Sequence, residues 1–244
     1  MRSIALVIVV TIVSTVGQFL LASTTAAAQV LPPIDGYSVE VTFSDDLQQR
    51  MASINSLEQR LEERFRDNRH YAKSPRAAGS QRFAENRTEG TEWAGERLIA
   101  DVSDFTLDNL VKALVAYNVN RAAPDFGGRI EIRINELKLT NPAIAFLGSF
   151  RSYAEGRVKV TDTDGNVLFD KPVRTNLVID STVDPSYDGP ELAFAETDPS
   201  QRVGPTLAYF VERALARAWP EHKSEFVGPV IIRVSGPNER VILD

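Results

Sequence analysis

The chain contains no cysteine, which removes disulfides, thiol nucleophiles, iron–sulfur clusters and cysteine-ligated zinc together. Histidine is nearly absent: His70 and His222 are the only two, and histidine is the side chain most often used to move protons in catalysis. There is no G-x-S-x-G elbow, no H-E-x-x-H pair and no glycine-rich phosphate loop. The sequence therefore reads as that of a non-enzyme: no catalytic residue, no cofactor and no metal ligand is assigned. Positive charge is also in deficit, with 27 Lys and Arg against 33 Asp and Glu. That balance argues against nucleic acid as the main partner, since phosphate binding relies on clustered positive charge.

What is present begins with an unusual leader. Arg2 is the only charge before residue 30, Ile4 to Val13 is almost wholly apolar, and Ala26-Ala27-Ala28 offers small residues before Gln29. A basic start, an apolar middle and an A-x-A end are the three parts of a secretory signal, so residues 1–28 are expected to be a cleaved signal peptide. Gly17 and Gln18 interrupt the apolar run, short of the roughly 20 apolar residues a spanning helix needs. No transmembrane span is expected after cleavage. Without Arg2 the remaining chain has 26 basic and 33 acidic residues, a net charge of −7. An exported domain that dispenses with cysteine fits a bacterial periplasm.

Residues 29–244 are long enough to bury a core without covalent staples, and read as a single α+β domain. Tyr37, Val39, Val41 and Phe43 alternate as a half-buried strand. Leu47, Met51, Ile54, Leu61 and Phe65 mark the apolar stripe of a helix over residues 45–66, with its other face charged and solvated. Residues 67–95 show no period and read as an irregular insertion. A short strand is predicted at 97–102. Thr106 then caps a helix, with Phe105 and Leu110 as its hydrophobic staple. Ile130, Ile132 and Ile134 alternate before the phase slips near Asn135, as at a bulge. A strand from about 148 to 161 carries Ala154 and Gly156 on its inward face, leaving room for a close helix. After the Asp162–Asn166 turn a third strand contains Pro172, which suits an edge. Pro205 opens a helix that Pro220 stops, and residues 230–243 read as a terminal hairpin. Consecutive strands joined by tight turns predict a mostly antiparallel sheet with about three amphipathic helices packed on one face.

Several stretches bear on chemistry. The Asp162/Asp164/Asn166 turn lacks the calcium-loop pattern, since Gly165 comes fourth and the twelfth residue is Val173. Residues 181–200 read as a solvated connection holding Asp184, Asp188, Glu191, Glu196 and Asp198 and no basic residue. A carboxylate- or metal-dependent hydrolase using that loop, with His70, is the alternative to a non-catalytic protein. From Arg60 to Arg87 there are eight basic residues against four acidic ones, which admits an electrostatic binder. The run Asn141-Pro142-Ala143-Ile144-Ala145-Phe146-Leu147-Gly148 is apolar where a polar turn is expected. An exposed apolar tip marks a contact surface, so Ile144, Phe146 and Leu147 are the candidate partner-binding residues, for an envelope protein or a lipid.

The order of elements over Ile130–Asp170, with the turn Asp162-x-Asp164-Gly165-x-Val167-Leu168 and the following helix Pro205–Ala218, resembles the periplasmic α/β domains of ABC-transport auxiliary lipoproteins. It is similar also to curli-secretion-type envelope lipoproteins. The resemblance implies a non-enzymatic accessory component of envelope transport or secretion. Both families carry a lipidated cysteine that this chain lacks, so lipid anchoring does not carry over.

Overall fold

A computed structural model describes residues 36–68, 91–139, 152–177, 189–195 and 198–232, together with Ile34, Thr182–Val183 and Tyr187. The leader, most of the 67–95 insertion, the apolar run 141–148 and the last twelve positions lie outside the described residues.

Alternation along the chain builds the main sheet. Strands β1 (Tyr37–Phe43), β2 (Gly128–Lys138), β3 (Tyr153–Thr161) and β4 (Val167–Asn176) lie in the order β1-β2-β3-β4. The β2–β3 and β3–β4 pairs are antiparallel. β1 runs parallel to β2, because about 80 residues of largely helical chain separate them and a crossover of that kind returns the strand in the same direction. The register shifts between Ile134 and Glu136, at the predicted bulge, and β4 with its proline is an edge.

Helices cover one face. α1 (Asp45–Asn68), α3 (Leu107–Ala122) and α5 (Gly204–Ala218) are the three amphipathic helices. α3 packs over β1 and α5 over β3 and β4. Ile130, Ile132, Ile134, Ala154, Val158 and Val160 of the sheet join Leu110, Leu114, Leu207, Phe210 and Leu215 of the helices in one buried cluster. Gly156 permits this closeness: a methyl group there would collide with the Arg133 carbonyl and sit 3.2 Å from the Phe210 ring. The outward residues of the sheet (Glu40, Arg133, Arg157, Arg174) remain open to solvent or half-buried.

Two expectations need correction. Residues 97–102 do not form a strand. Helix α2 (Ala94–Leu98) precedes a 3-10 turn at Val102–Asp104. The one helical turn puts Ala94 and Leu98 into the core, and Asp101 opens the next turn by accepting from the Ser103 N–H at 2.8 Å. Residues 181–200 are not a plain connection: they hold β5 (Thr182–Val183), β6 (Leu192–Ala195) and the short helix α4 (Asp198–Gln201). All four residues of β6 are buried, as a parallel strand covered on both faces requires. The chain's last described strand, β7 (Pro229–Ile232), lies between β5 and β6 and parallel to both, so it closes a second, three-stranded sheet. The other arm of the predicted hairpin lies outside the described residues.

Candidate functional site

Two clusters of charge distinguish this fold: one buried beneath α1, the other spread over the open side of the main sheet.

The buried cluster begins with a gap in the α1 stripe. Positions 47, 51, 54, 61 and 65 follow steps of three and four if position 58 is included, and position 58 is glutamate. Glu58 and Glu62 are 2% and 1% exposed, so the buried side of α1 carries two carboxylates. Both meet Arg202 and Asp198, also buried. Glu62 is bonded to Arg202 and, at 2.7 Å, to Arg66. Arg66 in turn donates to the carbonyls of Ile99 and Ala100. Asp198 accepts from the Ala195 N–H at 3.0 Å and lies 3.9 Å from Arg202 Nη1. Glu58 Oε1 accepts from the Val203 N–H at 3.1 Å, the N-cap of α5, which has no side-chain cap of its own.

Burial dominates the electrostatics. It pushes the Glu58 carboxyl up to about 7 against the pull of Arg202 and the Val203 N–H, and Asp198 up to about 6 against Arg202 and the Ala195 N–H. For Arg202 burial acts against the charge, but Glu62, Asp198 and Glu58 outweigh it and hold the guanidinium protonated more firmly than free arginine. The crevice beside the cluster, lined by Phe65, Trp93, Phe105 and Arg202 among others, measures about 10 Å³. That is room for a single water and too little for a substrate. Among the described residues no group of three or more His, Asp or Glu is arranged to hold a metal ion.

The second cluster follows from strand alternation. The outward positions of β1–β4 form cross-strand rows: Glu40, Glu131, Lys159 and Asp170 in one, Thr42, Arg133, Arg157 and Pro172 in the next. Lys159 pairs with Glu131 at 3.1 Å, Arg157 with Asp170 at 2.6 Å, Arg174 with Glu155 at 3.2 Å, and Arg129 with Glu40. Tyr153 donates to Glu136, and the Arg174 guanidinium stacks over the Tyr153 ring at 4.6 Å. Arg133 differs. It stands directly opposite Arg157 and makes no ion pair with any described residue. Arg133 and Arg157, with Glu40, Glu131, Lys159 and Asp170, border a shallow hollow of about 190 Å³.

The other sequence candidates are distributed as follows. Ile144, Phe146 and Leu147 lie outside the described residues, as do His70, Asp184, Asp188 and Glu196. His222 sits in a 3-10 turn after α5, 3.0 Å from Glu225 on the surface. Glu191 is held by its backbone, with its N–H on the Tyr187 hydroxyl. Of the described acidic residues in the 181–200 loop, Asp198 enters a charge cluster and Glu191 does not. Glu58, Glu62 and Arg202 escaped the sequence reading, although the interrupted stripe pointed to Glu58.

No protein family, curated protein or solved structure matches this chain.

Proposed function

We propose that this chain is an exported, non-catalytic cell-envelope protein that binds a partner protein across the uncovered face of its four-stranded sheet. Export is proposed from the leader pattern of residues 1–28, and a periplasmic setting from the lack of cysteine. An accessory role in envelope transport or secretion is what the family resemblance implies. A non-catalytic role is supported by the enclosure of two raised carboxyls, Glu58 and Asp198, beside a crevice too small for a substrate.

The observation that carries the reading is Arg133. Like charges directly opposite on neighbouring strands are destabilising, yet Arg133 faces Arg157 and has no carboxylate partner among the described residues. Arg157 is neutralised by Asp170, so Arg133 is the unmatched charge of the row. An acidic side chain on a docking protein supplies the missing counter-charge, while the exposed pairs around it, each worth about 0–1 kcal/mol, exchange partners at low cost. The occupant is therefore a protein segment rich in Asp and Glu.

Arg133→Glu tests this. The substitution relieves the Arg133–Arg157 repulsion, so the thermal midpoint is expected to hold or rise. Recovery of the cross-linked partner from intact cells should fall about tenfold, the effect of losing roughly 1.4 kcal/mol of pairing, and a charge-reversed partner should restore it. Undiminished recovery with Arg133→Glu contradicts the proposal. So does co-sedimentation with anionic phosphatidylglycerol vesicles that Arg133→Glu abolishes, since that outcome assigns the face to lipid.

A further inference from the structure

Three carboxylates and two guanidiniums meet where the middle of α1 crosses the start of α5. Glu62 and Asp198 match Arg66 and Arg202 in charge. Glu58 is the surplus acid. One of its oxygens takes the Val203 N–H, and the other is buried without a hydrogen-bond partner, 3.8 Å from an equally unpartnered Arg202 Nε. A carboxylate oxygen left bare in an apolar enclosure costs far more than a neutral carboxyl there.

We propose that the Glu58 carboxyl is a buried proton-binding switch: protonated, it seats the middle of α1 on the N-terminal end of α5, and ionised, it loosens that seat. The charged groups facing it are Glu62 from its own helix and Asp198 and Arg202 from α4 and the residue after it. α5 presents only the Val203 N–H. α3 meets this region through Leu107 and Leu110, and the Phe105 ring lies 5.6 Å from the Arg202 guanidinium; none of these carries charge. With the proton in place the cluster is neutral. Without it, a third negative charge is confined with only two positive ones, and admitting water to the helix interface is the cheapest relief.

The Glu58 carboxyl stands at about 7 in the seated helix against 4.5 when free. Seating therefore weakens about tenfold between roughly pH 6 and pH 8.5. Hydrogen exchange on the full chain reads this directly. Amides over residues 52–64 of α1 should lose about tenfold protection across that range, after correction for intrinsic exchange. Glu58→Gln, which retains an acceptor for the Val203 N–H, should hold α1 protection constant. Equal loss in wild type and Glu58→Gln overturns the proposal, as does unchanged α1 protection in wild type. If the variant fails to fold, the wild-type chain labelled with ¹³Cδ-glutamate still decides. The resonance assigned to residue 58 must titrate near neutrality, and titration in the ordinary carboxylate range overturns the switch.

Discussion

Glu58 is where the physics of this protein is most concentrated. A carboxylate in the gap of an apolar helical stripe is costly to bury, and here it is retained with one oxygen capping α5. Its folded-state pKa, about 7, lies above the ordinary 4.5. The stability it contributes is thus complete below about pH 4.5 and lost as pH rises through 7. Asp198, raised from 3.8 to about 6, acts in the same direction at lower pH. Asp101, Asp162 and Asp170 are lowered by hydrogen bonds to Ser103, Asn166 and Arg157. Their contributions are present above 3.8 and lost in acid, so the pH dependence near neutrality comes from the carboxyls that burial raises, Glu58 foremost, with Asp198 and Glu212. Unfolding free energy from urea titration should therefore fall by on the order of 2 kcal/mol between pH 5 and pH 8. Glu58→Gln should remove most of that slope and be the more stable protein at pH 8. A flat wild-type profile would contradict the buried, uncompensated carboxyl described above.

At the scale of elements, α1 acts as a capping rod. Asn55 Oδ1 accepts the Leu107 N–H at the start of α3, and three residues later Glu58 accepts the Val203 N–H at the start of α5. Thr106 adds its own cap to α3 through the Asn109 N–H, so α3 is capped twice and α5 only from α1. Asn55→Ala should accordingly cost about 1 kcal/mol in denaturant unfolding, with the loss appearing first in exchange at the α3 N-terminus. The sequence made much of this framework legible. Long alternating strands, the Thr106 cap, the Asn135 bulge and the edge proline all stand where periodicity and turn chemistry put them. Short elements resisted. α2 has five residues and β5 two, too few for any period to register, and β6 is apolar throughout because both its faces are covered. The buried cluster was hidden for a different reason: Asp198 and Arg202 sit about 140 positions from Glu58 and Glu62, and only the packing of α1 against the start of α5 brings them together.

For the molecule as a whole, the decisive asymmetry is between the two faces of the main sheet. One is sealed by α3 and α5 over an aliphatic core. The other carries rows of charge that are nearly balanced, exposed and weakly paired, with Arg133, beside Arg157, in no ion pair among the described residues. Burial raises Glu58 and Asp198 under α1, while the recognition chemistry proposed above lies on the flat side. The most direct measurement places a photo-reactive amino acid at Arg133 in intact cells, with a second version at Arg64 on the exposed side of α1 as the reference. Position 133 should give one discrete protein adduct, joined through an acidic segment of the partner, and position 64 none of that mass. Equal adducts from both positions, or none from position 133, would contradict it.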